Sequence, residues 1–451
     1  MTRGRWFGNI GKNTKDKMRR AVGKISGKDR NFLFLQGPHG PFFRQLGQAL
    51  RATGAQVVRI GFNAGDEVFW RDRSSYIAFD RPCHEWKTFL NRVLDLHRIT
   101  DIVLYGDTRP KHALAVEIAK RLGLRLHLFE EGYLRPYWVT YERAGTNGFS
   151  ALADISVQQM QAALVCPPMR PKPAPDHWGD MREHVFYGAA YHWFVWFFNR
   201  KYRNFKPHRD ITVRREFSLY FKKLAASPLH WAQRVRATRK IMRAGFPFHL
   251  VLLQLAHDAS FRAHSPFANM NEFLASVMQG FAQGAPSHHH LVFKAHPLED
   301  GRVPLRRDIL RLAQKFGIED RVHLLRGGKL ARLLDAAQSA VTVNSTAGQQ
   351  ALWRGLPLLV FGDAVYCKPE FVARGPAHEF FRQLPRPDAA AYRDFRQFLL
   401  STSQVPGGFY AARSRQQLMR NIVDLILSDK DPYQNLQIPK AAKAQQLRLV
   451  R

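Results

Sequence analysis

Short apolar runs alternate with longer amphipathic stretches through two parts of the chain. Apolar runs of about four to eight residues bounded by turn residues are typical of buried strands, and a 3.6-residue period is typical of helices. In the first part, this pattern predicts strands at 31–35, 56–60, 101–105 and 124–129, and helices at 42–53, 84–98 and 111–122. In the second part, it predicts strands at 248–255, 290–293, 322–325, 340–343 and 358–361, and helices at 271–283, 305–316, 330–337 and 347–354.

Strands that alternate with helices indicate a parallel, doubly wound sheet, so the predicted fold class is α/β. A chain of 451 residues suits two domains of roughly 200 residues each. A proline-rich stretch at 167–180 separates the first alternating part from a helical segment rich in aromatic and basic residues. We therefore predict a basic leader (1–30), an N-terminal Rossmann-like domain (31–245) with a helical insertion (about 181–245), a C-terminal Rossmann-like domain (246–412), and a C-terminal helix and tail (413–451) that crosses back to the first domain.

The charge of the chain indicates an anionic partner. It holds 69 Lys and Arg against 36 Asp and Glu, a formal net charge of +33. The excess of basic residues is concentrated in the leader and in residues 182–243. In residues 182–243 the only acids are Glu183, Asp210 and Glu216. Aromatic residues are mixed with the Lys and Arg of that segment, as in elements that lie at a lipid headgroup boundary. The alternative is a helical hairpin with core aromatics and a solvated charged face.

Other features of composition bear on the compartment. The sequence has no stretch of 18 or more apolar residues and no apolar region after its basic start, which argues against a spanning helix and a secretory signal. Cys83, Cys166 and Cys367 are far apart and lack metal-site spacing, so they fit a reducing cytoplasm. We predict a cytoplasmic protein that is peripheral on a membrane.

Two motifs follow predicted strands in the first domain, where open α/β sheets place their ligands. Gln36-Gly37-Pro38-His39-Gly40 predicts a tight loop with exposed N–H groups that contacts a phosphate or sugar carboxylate, or else a plain structural turn. Glu130 and Glu131 end an apolar strand, where two carboxylates repel each other and lose hydration. One of them is a candidate nucleophile or base, with Arg135 tuning its charge. The alternative is an acid that caps a helix or pairs with an arginine.

Two further motifs follow strands of the second domain. Lys294 and His296 leave one strand end together, and a cation pair there suits a departing phosphate, with Pro297 fixing the exit of the chain. In Asn344-Ser345-Thr346-Ala347-Gly348, a Ser or Thr can cap a helix whose first N–H groups hold a phosphate. Gly348 would let a ligand approach the backbone. The alternatives are an ordinary loop histidine and an ordinary capped helix.

Several common signatures are absent from the sequence. Its only D-x-D triplet, Asp429-Lys430-Asp431, lies far from any predicted strand end, which disfavours a metal-bound nucleotide of the D-x-D glycosyltransferase type. It also has no P-loop, G-x-S-x-G elbow or zinc motif, and no recognised nucleic-acid module. We therefore predict no metal, no cofactor and no nucleic-acid partner.

Four segments in this order, Q-G-P-x-G-P-F-F, E-E-G-Y-L-R-P, A-H-P and N-S-T-A-G, resemble the capsule polysaccharide biosynthesis and export family over roughly residues 30–370. The resemblance is strongest to the KpsS/LipB-type members, which are retaining β-Kdo glycosyltransferases. It implies a GT-B-like fold, with two Rossmann-like domains facing a central cleft. It also implies that CMP-Kdo, the cytidylate-activated form of an acidic sugar, is the donor.

The resemblance also implies roles for individual residues. Related Kdo transferases take their nucleophile from an acid-Gly pair, and Glu131 aligns with it, while Glu130 and His296 are the other catalytic candidates. Donor binding is assigned to Lys294, His296, Pro297, Glu299, Asn344, Ser345, Thr346 and Gly348. The acceptor loop is assigned to Gln36, Gly37, His39, Gly40 and Arg135.

This chain has room for one catalytic module. By the same resemblance, a single module favours addition of the first Kdo to an anionic glycerophospholipid, lyso-phosphatidylglycerol or phosphatidylglycerol. The implied location is the inner face of the bacterial inner membrane, with other capsule assembly and export proteins as partners. Two other hypotheses stay open: a GT-B transferase that uses another nucleotide sugar, and a non-catalytic basic scaffold for capsule polysaccharide export.

Overall fold

The computed structural model describes residues 26–164, 180–205, 227–297, 299 and 301–434, without the side chains of residues 180, 227–234 and 259. Among these residues, the strands of the first half form one sheet in the order β12-β6-β5-β4-β1-β2-β3. Strands β1 to β5 are parallel, whereas β6 and β12 are antiparallel additions. The strands are β1 (Asn31–Phe34), β2 (Gln56–Gly61), β3 (Tyr76–Ala78), β4 (Asp101–Tyr105), β5 (Arg125–Glu131), β6 (Trp138–Glu142) and β12 (Gln404–Pro406).

Helices connect these strands. Local signals set their ends: α4 begins at Pro110, whose missing N–H costs nothing there, and ends before Gly123 in the left-handed conformation, φ +67°. The side chain of Asn63 accepts the Asp66 N–H at the start of α2. The helices are α1 (Phe42–Ala52), α2 (Ala64–Trp70), α3 (Trp86–Leu96), α4 (Pro110–Leu122), α5 (Val157–Ala163), α6 (Asp180–Phe198) and α7 (Ser227–Ala244).

The second half of the described chain builds a parallel sheet in the order β11-β10-β7-β8-β9. Its strands are β7 (Phe248–Leu252), β8 (His290–Lys294), β9 (Val322–Leu325), β10 (Ser339–Thr342) and β11 (Leu358–Val360). The helices are α8 (Ala259–His264), α9 (Met270–Gly284), α10 (Leu305–Phe316), α11 (Leu330–Ala336), α12 (Gly348–Leu352), α13 (Ala377–Gln383), α14 (Ala389–Ser401) and α15 (Ala412–Leu427). The predicted α/β class with two Rossmann-like halves is confirmed.

The two halves exchange segments. Tyr133 and Leu134 pack, with α5, into the same core as Leu250 and Leu252 of the second sheet. In return, β12 pairs with β6, and α15 packs against the Phe32 side of the first sheet. Each half therefore completes the core of the other.

Two predicted boundaries need correction. The second domain does not extend to residue 412, because Gln404–Pro406 already belongs to the first sheet, and a strand of three residues leaves no periodic signal. The leader does not extend to residue 30, because Arg30 is buried and forms an ion pair with Asp101. Residues 1–25 and the proline-rich stretch at 165–179 lie outside the described residues.

Helix α6 is apolar on two faces. Tyr191 and Val195 are buried against the first half, where the Tyr191 hydroxyl accepts a hydrogen bond from Asn63 Nδ2 at 2.7 Å. On the other face, large apolar side chains are exposed: Met181, Val185, Phe186, Trp193, Trp196, Phe197 and Phe198. In the part of the chain that the structure describes, no helix is both long and apolar enough to cross a membrane.

Candidate active site

Glu130 and Glu131 are the last residues of β5, which extends two residues beyond the predicted end of that strand. Both are paired with β6, Glu130 opposite Thr140 and Glu131 opposite Val139. Because successive strand residues point to opposite faces, the two carboxylates have different surroundings. The repulsion expected from their adjacency is thus reduced.

Two tyrosine hydroxyls hold the Glu131 carboxylate. Oε1 accepts long hydrogen bonds from Tyr105 at 3.4 Å and from Tyr410 at 3.2 Å. The Tyr410 ring in turn stacks on His184 of α6, with a centroid separation of 4.2 Å. These bonds orient the carboxylate through one of its two oxygens.

Glu130 lies on the other face of the sheet. Burial raises its pKa to about 7, reinforced by the charges of Glu131 and Asp107. The Glu131 N–H, which donates to Glu130 Oε1 at 3.2 Å, and the Arg109 guanidinium oppose that rise in pKa. Glu130 therefore exchanges a proton near neutral pH, which suits a general base.

The cation near Glu130 is Arg109, and not Arg135 as the sequence predicts. Arg135 is exposed, and its Nε donates to the Gly132 carbonyl at 3.3 Å. Arg109 reaches the site from the start of α4, where it donates to Gln36 Oε1 at 2.7 Å. Sequence reasoning missed Arg109 because it lies in a loop without a motif.

The loop after β1 corrects a second expectation. Gly37 and Gly40 are buried, so their backbone is not open to a ligand. A Cβ on Gly40, at φ +104°, would lie 3.0 Å from the Tyr187 ring, and the His39 ring lies 4.5 Å from that of Tyr191. The loop thus seats α6, and only Gln36 of this motif lines a cavity.

In the second half, Asn344 has a structural role. Its Oδ1 accepts from Gln254 Nε2 at 2.7 Å, and its Nδ2 donates to the carbonyl oxygens of Ser260 and His264. Because these bonds use the Asn344 side chain and bury it, Asn344 ties β7, α8 and β10 together. The side chain of Asn344 thus supports the scaffold, and its predicted donor-binding role stays a prediction.

The predicted helix cap is also corrected. Helix α12 begins at Gly348 without a side-chain cap, and Ser345 Oγ instead accepts the Ala347 N–H at 3.2 Å. A Cβ on Gly348 would lie 2.7 Å from the Tyr366 hydroxyl, so close packing against Tyr366 favours glycine at this position. Ser345 and Thr346 remain partly exposed at the carboxyl end of β10.

The Lys-Ala-His-Pro segment lies at the same edge of the second sheet. Lys294 ends β8 and is buried, with Nζ donating to the Ala295 carbonyl at 3.2 Å. His296 is half-buried and Pro297 is exposed. Glu299 Oε1 accepts the Gly301 N–H at 3.1 Å, which holds the turn. Since β7 alone separates β8 from β10, this segment and Ser345 share one sheet edge.

A direct hydrogen bond joins the two sheet edges. Gln349 Nε2, at the start of α12, donates to the Tyr133 carbonyl at 2.7 Å. Tyr133 lies two residues after Glu131, and Gln349 lies three residues after Thr346. This bond therefore links the segment that follows β5 to the helix that follows the Ser345-Thr346 loop. Sequence reasoning missed this contact, since no local pattern pairs residues 216 positions apart.

Metal ligands are not clustered near this site. Over the described ranges, no group of three or more His, Cys, Asp or Glu side chains is arranged to hold a metal ion.

Residues 100–410 match the family described as capsule polysaccharide biosynthesis protein. The chain belongs to this family. The matched region contains both carboxylates, the Lys-Ala-His-Pro segment and the Ser345-Thr346 loop, whereas the Gln36 loop precedes it.

Curated relatives of this family are similar over most of their length. The capsule polysaccharide export protein KpsS of Escherichia coli is 30% identical over 392 residues, which cover 86% of this chain and 98% of the relative. The capsule polysaccharide modification protein LipB of Neisseria meningitidis is 29% identical over 389 residues, covering 84% and 92%.

Among solved structures, the β-Kdo 2,7 transferase KpsC of Thermosulfurimonas dismutans is 12% identical, with a TM-score of 0.44. The match covers 88% of this chain and 99% of that one. At this identity and TM-score, the likeness alone supports neither a substrate nor a mechanism.

Proposed function

We propose that this protein is a retaining glycosyltransferase that moves Kdo from CMP-Kdo to phosphatidylglycerol or lyso-phosphatidylglycerol. This transfer would start the poly-Kdo linker of a capsular polysaccharide. The observation that carries the proposal is the end of β5, where two adjacent carboxylates have different environments and the following segment is hydrogen-bonded to α12 of the second half. Kdo as the sugar rests on the family resemblance.

The donor would lie along the carboxyl edge of the second sheet. Lys294 and His296 supply positive charge and donors for the CMP phosphate, and the Ser345 and Thr346 hydroxyls are partly exposed beside them. Such groups favour the leaving group as its charge increases.

The reaction would consist of two displacements at the anomeric carbon. Glu131 attacks that carbon through a carboxylate oxygen. The bond between the anomeric carbon and the phosphate oxygen breaks, and its electron pair leaves with CMP. The acceptor hydroxyl then attacks the same carbon, its proton passes to Glu130, and the Glu131 carboxylate is released. Two inversions give net retention.

The acceptor side would face a lipid surface. Seven large apolar side chains of α6 are exposed. His184 of the same helix stacks on Tyr410, whose hydroxyl donates to Glu131. A helix that is apolar on two faces favours two apolar partners, and among the described residues the first half buries the Tyr191 and Val195 face. An anionic membrane would supply the second and match the net charge of +33.

Replacing Trp196 and Phe197 by Ser should weaken binding to phosphatidylglycerol vesicles by about 100-fold, because two aromatic side chains no longer leave water. Vesicle sedimentation measures this effect. Leu310→Ser on α10, another exposed apolar position, is the control and should bind normally. Unchanged vesicle binding by the double variant would assign α6 to another partner.

His296→Ala should weaken CMP binding about 10- to 100-fold, because a charge-assisted hydrogen bond to the phosphate is lost. Isothermal calorimetry with CMP measures the affinity. His378→Ala on α13, a partly exposed histidine elsewhere in the second half, is the control. Unchanged CMP affinity in His296→Ala would remove His296 from the donor site.

The function itself is tested by incubating the protein with CMP-Kdo and a fluorescent lyso-phosphatidylglycerol and measuring product mass. A gain of one Kdo supports the proposal. A thermal shift with UDP but not CMP would favour another nucleotide sugar. The exposed face of α6 also fits a basic scaffold for capsule export, which predicts lipid binding without any dependence on Glu131.

A further inference from the structure

A cavity of about 500 Å³ lies at the carboxyl edge of the first sheet, on the face that carries Glu130. The start of α4, the turn Cys83–Glu85 and residues 203–205 after α6 enclose it. Its volume lies within the range of small-molecule sites. None of the roles derived above uses this cavity.

Three cations line the cavity without a carboxylate partner. Arg109, Lys111 and Arg203 form no ion pair within 4.0 Å in the described part of the chain. Arg109 donates to Gln36, and the Lys111 ammonium lies 5.2 Å from the centre of the Phe62 ring. The first turn of α4 adds N–H groups and the positive end of a 13-residue helix. This arrangement favours an anion.

His112 supplies an independent observation. It lines the cavity and is only 1% exposed, and its Nε2 has no hydrogen-bond partner. Its Nδ1 lies 2.8 Å from the Gly106 carbonyl, which can only accept, so Nδ1 carries the proton. Burial lowers the pKa of His112 to about 3, so the ring is neutral and Nε2 is an acceptor. A buried acceptor without a donor calls for a ligand hydroxyl.

The cavity adjoins Glu130. Gly106, whose carbonyl binds His112, also faces that carboxylate, because a Cβ on Gly106 would lie 3.2 Å from Glu130 Oε2. A ligand with an anionic group among the three cations and a hydroxyl near His112 would therefore have its hydroxyls close to Glu130.

We infer that this cavity binds the glycerol phosphodiester of the acceptor, with the phosphate held by Arg109, Lys111 and Arg203 and the glycerol hydroxyls on the side of His112 and Glu130. The inference rests on the proposed function, since it treats Glu130 as the group that receives the acceptor's proton. It names the acceptor's recognised part as the headgroup, and the acyl chains then need no pocket.

The test measures binding of glycerophosphoglycerol, the headgroup without acyl chains, by calorimetry in the absence of donor. The Lys111→Gln/Arg203→Gln double variant should bind it about 10- to 100-fold more weakly than the wild type, because two charge-assisted contacts are lost. Lys120→Gln is the matched control. It removes the same charge from the same helix, about 13 Å further along, and should bind normally.

Substrate kinetics and competing probes separate the sources of the anion. The double variant should raise the KM for lyso-phosphatidylglycerol and leave the KM for CMP-Kdo unchanged. Equal headgroup binding by wild type and double variant, or a loss of CMP affinity in the variant, would overturn the assignment. Inorganic phosphate binding as tightly as glycerophosphoglycerol would also overturn it. Headgroup binding by a wild type that transfers no Kdo would retain the cavity assignment and reject the proposed function.

Discussion

Replacing Glu131 by Gln should abolish Kdo transfer, with a loss of about 10⁴-fold or more, because an amide cannot act as the attacking carboxylate. CMP binding should remain within a factor of two or so, since the proposed donor-binding groups lie at the edge of the second sheet. Transfer is measured by product mass and CMP binding by calorimetry.

The matched control for Glu131→Gln is Glu117→Gln, which removes an exposed carboxylate of α4. This variant should transfer normally. Tyr410→Phe, which removes one of the two hydroxyls on Glu131 Oε1, should slow transfer without stopping it. Near-normal turnover by Glu131→Gln would exclude Glu131 as the nucleophile and leave the two-displacement mechanism without its acid.

Glu130→Gln should lower the rate of transfer by about 10²- to 10⁴-fold, the usual contribution of a general base. In the wild type, the rate should rise with pH through about 7, as the Glu130 carboxyl ionises. The variant should lose that rise and accumulate the glycosyl-enzyme, because only the second displacement needs the base. A pH profile unchanged by Glu130→Gln would assign the base to another group.

The substitution of Glu130 that lowers the rate of transfer should raise the stability of the protein at alkaline pH. Burial raises the pKa of Glu130 from 4.5 to about 7, so its contribution to the free energy of unfolding is fully present below pH 4.5 and is lost as pH rises through 7. At pH 8, Glu130→Gln should therefore unfold at a higher urea concentration than the wild type. Its free energy of unfolding should be larger by up to about 3 kcal/mol. At pH 5 the difference should be small. A variant less stable than the wild type at pH 8 would contradict this account.

Strand and helix patterns predicted much of the scaffold. Asp101–Tyr105, Leu305–Phe316 and Val322–Leu325 form the predicted elements with the predicted ends, because short apolar runs mark the two strands and Gly317, in the left-handed conformation, ends the helix. The sequence did not predict β6 or β12. Strand β6 pairs with β5 just before it in the chain, whereas β12 has three residues and is defined by its long-range pairing with β6.

Some residues of the candidate site were indicated by the sequence, and others were placed there only by the tertiary structure. The acids at the end of β5 and the Lys-Ala-His-Pro segment stand out in the sequence because polar residues follow apolar strands. The contacts of Arg135, Asn344 and Gly348 were not predicted, because each depends on the direction of a side chain or on a neighbour distant in sequence. Tyr410, Arg109 and His112 carry no motif, and only packing places them at the site.

The sequence by itself determined that this chain forms two α/β halves and that polar groups stand at their strand ends, since both follow from apolar periodicity and local turns. Tertiary structure alone decided which groups meet. The Gln349–Tyr133 bond, the tyrosines on Glu131 and the cations around His112 join residues from distant parts of the chain. Local sequence patterns do not predict such contacts, because the folding of the whole chain sets the distance between the residues that form them.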